Sequence, residues 1–201
     1  MKSFFFKGLE FRVFPDVYEP SEDSFILAEN VSVKKGASFL DAGCGSGIQG
    51  INAAMQGASK VVCTDVDGNA LENAMANAKK AGFLERFEFR QGNLFECLGA
   101  GEMFNVIAFN PPYMPSDGKK FGDLDGGEFG RDALDCFLNC FGTHLAPGGE
   151  CFFLQSSLNG EKETGIILEG LGFEFEVLAR KRLFFEELAV FRAWRKETER
   201  V

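Results

Sequence analysis

The feature that most constrains the fold of this chain is a regular alternation of short apolar segments with segments of helical spacing. Short apolar runs bounded by turn residues are typical of strands, and apolar positions three or four residues apart are typical of helices. Strands are predicted at residues 38–41, 60–65, 86–90, 104–109, 150–155, 173–179 and 188–194, and helices at residues 48–56, 68–81, 132–145 and 160–170. This order indicates a parallel sheet with helices on both faces.

Several predicted strands also indicate where they lie in that sheet. Residues 104–109 are nearly all apolar, as expected for a central strand covered on both faces. Residues 86–90 alternate with period two, as an edge strand should. No helix separates the last two strands, so we expect an antiparallel hairpin. The 201 residues are therefore predicted to form a single α/β domain on a Rossmann-like, doubly wound, mostly parallel sheet of seven strands ending in this hairpin.

Composition narrows the class of protein. The net charge of −9 argues against a protein that holds long nucleic acid by its phosphates. The six cysteines form no C-x-x-C pair and only His144 could complete a metal site, so no zinc centre is expected. Dispersed cysteines, and no apolar run of about 18 residues, indicate a soluble cytoplasmic protein. The 24 phenylalanines, against two tyrosines and one tryptophan, suggest a Phe-rich core or a surface that a partner covers.

A glycine-rich turn follows the first predicted strand of the alternation. Residues 41–47 read Asp-Ala-Gly-Cys-Gly-Ser-Gly, a G-x-G-x-G pattern. Glycines such as Gly43 and Gly45 let backbone amides approach a ligand at the start of the following helix. Asp41 opens the loop, and its carboxylate suits a ligand that carries an amino group and a sulfonium. The alternative is a turn with a structural role alone.

Two further positions sharpen the prediction of a nucleoside site. Asp65 ends the next strand, where a carboxylate can accept hydrogen bonds from both ribose hydroxyls. Asn93 and Leu94 follow the third strand, where a polar side chain beside an apolar one can frame an adenine ring. For Asp65 the alternative is that Asp65 or Asp67 caps the following helix. Together these elements predict S-adenosylmethionine as the cofactor.

The strand at residues 104–109 runs directly into Asn110-Pro111-Pro112-Tyr113. An amide or arylamine nitrogen attacks a methyl sulfonium poorly, because its lone pair is delocalised. N–H groups bound by the Asn110 side-chain oxygen and the Pro111 carbonyl would hold such a nitrogen in line and disperse its positive charge. Pro111 and Pro112 stiffen the loop, and Tyr113 offers a face for a flat group. Asn before Pro is also typical of a simple turn, which is the alternative.

At this point the sequence resembles the HemK/PrmC-type protein glutamine methyltransferases, in particular their archaeal–eukaryotic branch. The resemblance covers nearly the whole chain and is carried by residues 17–25, 41–47, 64–67, 110–113, 126–131 and 182–188. It implies the class I methyltransferase fold and methylation of glutamine N5 in the Gly-Gly-Gln motif of class I translation release factors. It also implies a small zinc-binding activating subunit as a partner.

The resemblance assigns roles to residues as well. It implies that Asn110 and Pro111 bind the amide, that Tyr113 helps to wall it in, and that Tyr18 and Ser24 line the cofactor pocket. Asn93 stands where many relatives have Asp, which leaves the effect on cofactor affinity open. The amino-terminal arm, residues 1–30, is predicted to close over the cofactor. Residues 114–131 are predicted to be a substrate lid, a disordered connector being the alternative.

Three other functions stay open from the sequence. The Asn-Pro-Pro-Tyr motif is shared with adenine methyltransferases of DNA and RNA, so N6-adenine methylation is the main alternative. A lysine of a histone or another protein is a second conceivable acceptor. A cofactor-binding scaffold without catalytic activity is the third.

Overall fold

The computed structural model describes residues 2–114, 127 and 130–196. The strands are β1 (Lys2–Phe6), β2 (Leu9–Val13), β3 (Ser38–Ala42), β4 (Lys60–Asp65), β5 (Phe87–Gln91), β6 (Phe104–Phe109), β7 (Leu145–Ser156), β8 (Phe173–Arg182) and β9 (Glu187–Arg195). The helices are α1 (Glu22–Asn30), α2 (Ile48–Gln56), α3 (Gly68–Lys80), α4 (Asp132–Cys140) and α5 (Glu161–Gly170). Single 3₁₀ turns lie at Leu84–Arg86, Phe141–Thr143 and Ser157–Asn159.

Seven of these strands form one sheet in the order β5-β4-β3-β6-β7-β9-β8. The strands from β5 to β7 are parallel, and β9 pairs antiparallel with both β7 and β8. The predicted seven-stranded, mostly parallel sheet with a carboxyl-terminal hairpin is therefore confirmed. As predicted, β5 lies at an edge and β6 lies in the centre, where Val106, Ile107 and Ala108 are buried.

The predicted helix at residues 132–145 is too long. Helix α4 ends at Cys140, a 3₁₀ turn follows, and Leu145 already belongs to β7. The Pro-Gly-Gly sequence at 147–149 lies inside β7, at an irregularity where β6 advances from Phe104 to Val106 while β7 advances from Leu145 to Glu150. Because a bulge absorbs residues that leave the ladder, these turn residues interrupt the pairing without ending the strand.

The amino-terminal arm folds into more structure than the sequence indicated. Strands β1 and β2 form an antiparallel hairpin, and α1 follows. Two asparagines of α3 hold the arm: the Phe14 amide donates to Asn73 Oδ1 (2.7 Å) and the Arg12 amide donates to Asn77 Oδ1 (2.9 Å). Asn77 Nδ2 also donates to the Ser46 carbonyl (2.9 Å), so the same side chain joins the arm to the glycine loop.

Phenylalanines fill much of the core. Phe137 of α4 stands at the centre of one cluster, with its ring centroid 4.6 Å from that of Phe109 and 5.5 Å from that of Phe95. Eight phenylalanines of the described part of the chain are less than 2% exposed: Phe11, Phe39, Phe104, Phe137, Phe141, Phe152, Phe153 and Phe191. In contrast, Phe5, Phe184 and Phe185 are exposed. The Phe surplus thus supplies the core and also leaves a small number of aromatic rings on the surface.

The structure also bears on the cysteines, on metal-binding groups and on membrane-spanning helices. All six cysteines are free thiols. Within the described ranges, His, Cys, Asp and Glu side chains form no group of three or more that could hold a metal ion. No helix in those ranges is long and apolar enough to cross a membrane.

Candidate cofactor and acceptor site

A cavity of about 340 Å³ opens at the carboxyl ends of β3, β4 and β6. This is the edge at which doubly wound sheets bind ligands, and the volume falls in the usual range for small-molecule sites. The arm covers one side of the cavity through residues 17–24. All the predicted site residues except Tyr113 line it: Tyr18, Ser24, Asp41, Gly43, Gly45, Asp65, Asn93, Leu94, Asn110, Pro111 and Pro112.

The glycines of the loop at 41–47 have different physical roles. Gly43, Gly45 and Gly47 all have positive φ, at 62°, 50° and 81°. A Cβ atom at Gly47 would lie 2.9 Å from the Ala74 Cβ, so this glycine permits close packing against α3. A Cβ atom at Gly45 would meet nothing within 4 Å. Gly45 therefore keeps open space beside the loop, where a ligand can approach the backbone.

Asp41 is a buried carboxyl group at the floor of the cavity. Its Oδ2 accepts a hydrogen bond from the Gly50 amide (2.8 Å). Burial raises the pKa of Asp41 to about 8, with the nearby Asp65 charge adding to the rise and the Gly50 bond opposing it. A positively charged ligand group beside Asp41 would favour its ionised form.

Asp65 links the loop that follows β4 to the glycine loop that follows β3. Its Oδ2 accepts from the Gly45 amide (2.9 Å) and its Oδ1 accepts from the Asp67 amide (3.0 Å). Each carboxylate oxygen can accept more than one hydrogen bond, so these two bonds do not exclude ligand hydroxyls. The helix cap is Asp67, whose side chain accepts from the Asn69 amide (2.9 Å). The capping alternative therefore applies to Asp67, while Asp65 faces the cavity.

The loop that follows β5 lies against the loop that follows β4. The Gly92 amide donates to the Asp65 carbonyl (2.9 Å), which places Asn93 and Leu94 at the cavity wall. Leu94 has a φ of 49°, an unfavourable conformation for a side chain of this size. Strain of this kind costs about 1–3 kcal/mol and is concentrated at ligand sites.

Asn110 is held in one orientation by the arm. Its Nδ2 donates to Asp23 Oδ2 (3.1 Å) and to Ser24 Oγ (3.3 Å). These two acceptors fix which end of the amide is the nitrogen, because Asp23 has no proton to donate when ionised. The Oδ1 atom of Asn110 is buried and has no hydrogen-bond partner among the residues that the structure describes. A buried amide oxygen without a partner is costly, so this atom is prepared to accept an N–H group from a ligand.

Sequence reasoning missed Asp23, although it lies inside the quoted segment 17–25. Asp23 is 1% exposed and accepts hydrogen bonds from the Tyr18 hydroxyl (2.8 Å), Ser21 Oγ (3.0 Å) and the Ser24 amide (2.6 Å). Burial and the Asp23 carboxylate raise the pKa of Tyr18 well above its usual range, so this hydroxyl keeps its proton. The signal that the sequence offered for Asp23 was an acidic residue with Tyr18, Ser21 and Ser24 close to it in the chain.

Ser46 and Gln49 were also missed, and both line the cavity. Gln49 Nε2 donates to the Ser24 carbonyl (2.9 Å), whereas its Oε1 and the Ser46 hydroxyl find no partner in the described part of the chain. Gln49 therefore ties the start of α2 to the arm. Because these two positions carry no distinctive pattern, the sequence offers no signal for them beyond their place just after the glycine loop.

Tyr113 lies behind the lining residues of the cavity and is mostly buried. Burial, together with the charges of Asp23 and Glu186, raises the pKa of Tyr113 well above its usual range. The ring packs in the same apolar cluster as Leu27 and Leu188. Tyr113 is thus a neutral, rigidly held side chain between the arm and the start of β9, and its role as a wall for the acceptor stays a prediction.

Asn159 holds together the two ends of the segment that was predicted to be a lid. Its Nδ2 donates to the Tyr113 carbonyl (2.9 Å) and to the Gly130 carbonyl (3.0 Å). A Cβ atom at Gly130 would lie 2.3 Å from the Tyr113 oxygen, so only glycine fits there. Arg131 extends the junction by donating to the Gly160 carbonyl (2.9 Å). Most of the lid itself, residues 115–126, 128 and 129, lies outside the described residues.

The chain is similar to known methyltransferases. The family model for the methyltransferase small domain matches residues 21–184. A candidate protein N5-glutamine methyltransferase of Methanocaldococcus jannaschii is 40% identical over 94% of this chain and 97% of its own length. A release factor glutamine methyltransferase of Geobacter sulfurreducens is 32% identical over 72% of this chain and 55% of its own length. The chain therefore spans little more than half of that bacterial relative.

Solved structures show the same fold. The Mtq2 and Trm112 complex of E. cuniculi, responsible for methylation of the eRF1 translation termination factor, contains a chain that superimposes with a TM-score of 0.67 at 22% identity, covering 90% of this chain and 99% of that one. A 16S rRNA guanosine methyltransferase of T. thermophilus, in complex with AdoMet and guanosine, gives a TM-score of 0.73 at 21% identity, covering 97% and 50%. The chain has the class I methyltransferase fold and belongs to the methyltransferase small domain family, within the group of protein N5-glutamine methyltransferases.

Proposed function

We propose that this chain transfers a methyl group from S-adenosylmethionine to the side-chain amide nitrogen of the glutamine in the Gly-Gly-Gln motif of a class I release factor, in the cytoplasm. The observation that carries the proposal is the buried Asn110 Oδ1, which has no partner among the described residues while Asp23 and Ser24 hold the nitrogen of the same amide. An amide substrate offers the N–H group that this oxygen lacks. The relatives are glutamine methyltransferases, and this supports the choice of glutamine as the acceptor.

The residues around the cavity fit S-adenosylmethionine. Bound there, this cofactor supplies an electrophilic methyl group. The Asp65 carboxylate would accept the ribose hydroxyls, and Asn93 with Leu94 would border the adenine. Asp41 would balance positive charge, since its buried carboxyl ionises more readily beside a cation. The open space at Gly45 leaves room for the ligand next to the loop backbone.

The arm, residues 1–30, would cover the bound cofactor. Val17, Tyr18 and Ser24 already line the cavity, and the Tyr18 hydroxyl is bound to Asp23. Removal of water from the site strengthens every electrostatic contact inside it. The arm therefore would have two roles, exclusion of water and orientation of Asn110.

The acceptor nitrogen would be positioned by hydrogen bonds and not by a strong base. Asn110 Oδ1 and the Pro111 carbonyl would accept its two N–H groups and turn its lone pair toward the methyl carbon. Methyl transfer from the bound cofactor, with the electron pair of the broken C–S bond left on sulfur, would give this nitrogen a positive charge. The two acceptor oxygens would stabilise that charge, as would the Asp23 carboxylate that is bound to the Asn110 amide. The methylated nitrogen would then lose its extra proton to solvent.

A small zinc-binding subunit would be the activating partner of this chain. The support is the E. cuniculi structure, which is a complex of Mtq2 with Trm112. Purification of the chain from its native source, followed by identification of any small protein that stays bound, would test this part of the proposal. A chain that purifies alone with full activity would contradict it.

The main experiment offers one enzyme several acceptors. The purified chain, with any bound partner, is incubated with labelled S-adenosylmethionine and a release factor, DNA or RNA, and the products are located by mass spectrometry. The expected product is a release factor methylated on the glutamine of Gly-Gly-Gln. Asn110→Ala should lower kcat by about 100-fold or more with the cofactor Kd nearly unchanged, as for the loss of a donor or acceptor at a reacting centre. Methylation of nucleic acid alone, or an Asn110→Ala variant of normal activity, would contradict the proposal.

A further inference from the structure

The turn between β8 and β9, here called the hairpin tip (residues 183–186), stands at the same edge of the sheet as the cavity. β9 runs antiparallel to β7 with Leu188 opposite Ser156, the last residue of β7. The pairing of β8 with β9 ends at Arg182 opposite Glu187. The hairpin tip therefore projects beyond the carboxyl end of β7, toward the side of the molecule on which the parallel strands present the cavity.

Two aromatic rings are displayed on the hairpin tip. Phe184 is 91% exposed and Phe185 is 86% exposed, more than any other large apolar side chain in the described part of the chain. Their ring centroids are 4.6 Å apart in an edge-to-face arrangement. Adjacent exposed aromatic rings are typical of surfaces that bind another molecule.

The base of the hairpin tip is fixed to the acceptor side of the site. The Leu183 amide donates to the Glu186 carbonyl (2.8 Å), which closes the turn. The Leu183 side chain packs on the apolar cluster that contains Tyr113. Lys181, just before the tip, forms an ion pair with Glu22, the neighbour of Asp23. The base of the tip thus packs on the apolar cluster that contains Tyr113 and is linked to the arm by an ion pair.

Glu186 gives a second link between the hairpin tip and the acceptor. Its negative charge contributes to the raised pKa of Tyr113, after burial and the charge of Asp23. Its Oε2 atom is buried and lacks a hydrogen-bond partner among residues 2–114, 127 and 130–196. Like Asn110 Oδ1, this oxygen is a buried acceptor with free capacity.

We infer that the hairpin tip is a docking surface for the protein that presents the glutamine, with Phe184 and Phe185 packing on an apolar patch beside its Gly-Gly-Gln segment. This inference rests on the proposed function. A glutamine bound at Asn110 belongs to a protein far larger than the 340 Å³ cavity, so the surface of that protein must cover the surrounding edge of the sheet. Arg182 is exposed at the base of the tip and forms no ion pair with any described residue, so the patch should carry a carboxylate at its border.

The test compares a whole protein with a short peptide as substrate. The double variant Phe184→Ser with Phe185→Ser removes both rings, and Met103→Ser is the control. Met103 is an exposed apolar residue just before β6, at the opposite edge of the sheet. With the intact release factor, the double variant should raise KM about tenfold or more. Its kcat/KM for a short Gly-Gly-Gln peptide, its cofactor Kd and its melting temperature should match those of the wild type and of Met103→Ser.

The possible results separate the two proposals. A wild-type enzyme that methylates no glutamine in either substrate overturns the proposed function, and with it this inference. An active wild type whose KM for the intact factor is unchanged by the double variant overturns the docking surface alone. The same is true if the double variant instead abolishes self-association of the wild type in sedimentation experiments, because the rings would then contact a second copy of the chain.

Discussion

In the glycine-loop half of the cavity, the contacts join backbone amides to two carboxylates that are near in sequence. Gly50 binds Asp41 across 9 residues, and Gly45 binds Asp65 across 20. In the acceptor half, the contacts join side chains that are distant in sequence. Asn110 binds Asp23 across 87 residues, and Asn159 binds the Tyr113 carbonyl across 46.

The two halves of the cavity depend on different parts of the fold. The loop half is formed by the ends of three strands that follow one another in the chain and are neighbours in the sheet, β3, β4 and β5. The acceptor half depends on the arm docking on α2 and α3 and on the junction at Asn159, so it is completed only by the whole fold. We therefore expect substitutions in the two halves to separate: the loop half should control cofactor affinity, and the acceptor half should control kcat.

After Asn110→Ala, the largest expected effect belongs to Asp23. Asp23→Ala removes the acceptor that orients the Asn110 amide and a carboxylate that would help to stabilise positive charge on the proposed acceptor nitrogen. We expect kcat to fall by about 100-fold, the usual scale for loss of electrostatic preorganisation, with a much smaller change in cofactor Kd. The control is Glu29→Ala, which removes an exposed carboxylate from the same helix. Steady-state kinetics measure kcat and calorimetry measures the cofactor Kd. An Asp23→Ala variant with normal kcat would contradict the assignment of kcat to the acceptor half.

Asp65→Ala tests the loop half. The variant loses the bonds to the Gly45 and Asp67 amides and the proposed acceptor for the ribose hydroxyls. Hydrogen bonds to a charged group contribute about 1.5–3 kcal/mol, so the cofactor Kd should rise by about 10- to 100-fold. At saturating cofactor, kcat should stay within a few-fold of the wild type. Glu72→Ala, which removes an exposed carboxylate of α3, is the matched control. A fall in kcat without loss of affinity would reverse the assignment of the two halves.

Asn159→Ala should have a smaller effect that still belongs to the acceptor half. The carbonyls of Tyr113 and Gly130 lose a shared donor, which should lower the free energy of unfolding by about 1–3 kcal/mol. We expect kcat to fall by about tenfold at a temperature where the variant is fully folded, since misplacement of Tyr113 disturbs the acceptor. Asn139→Ala is the control, because Asn139 is exposed and bonds only within its own helix. Equal kcat in the two variants would make Asn159 a purely structural residue.

The smallest expected effect is a proton released on cofactor binding. Because the pKa of Asp41 is raised to about 8 in the free protein, this carboxyl is mostly protonated at neutral pH. A bound cation favours the ionised form, so binding should release up to about one proton and become tighter as the pH rises from about 6 toward 7.5. Calorimetry in buffers of different ionisation enthalpy measures this release. Asp41→Asn should abolish this proton release. If the variant releases as many protons as the wild type on binding the cofactor, Asp41 does not face the cation.

The loop half could be predicted from sequence for the same reason that it is structurally local. Strand ends, glycines and acidic residues that lie close together in the chain define Asp41, Gly45 and Asp65 with little other information. Asp67 shows the limit of this reasoning, because sequence alone could not decide whether it or Asp65 capped α3; the geometry assigns the cap to Asp67.

The acceptor half was only partly accessible from sequence. Asn110 was predicted from its motif, but the orientation of its amide depends on Asp23, far away in the chain. Asn159 carries no motif at all, and its importance follows from the two carbonyls that the fold brings to it. The end of α4 at Cys140 was missed because Pro147 and the glycines after it resembled a stop signal, whereas pairing with β6 extends β7 through them. Tertiary pairing overrode local preference there.

The most direct test is a crystal structure of the chain with S-adenosylhomocysteine and a Gly-Gly-Gln peptide. The predicted result is a glutamine amide nitrogen about 3 Å from Asn110 Oδ1, a normal hydrogen-bond distance, with the same nitrogen facing the cofactor sulfur. The Asn110 Nδ2 should still be bound to Asp23. A structure in which Asn110 Oδ1 points away from the glutamine, or in which the peptide binds elsewhere, would contradict the account.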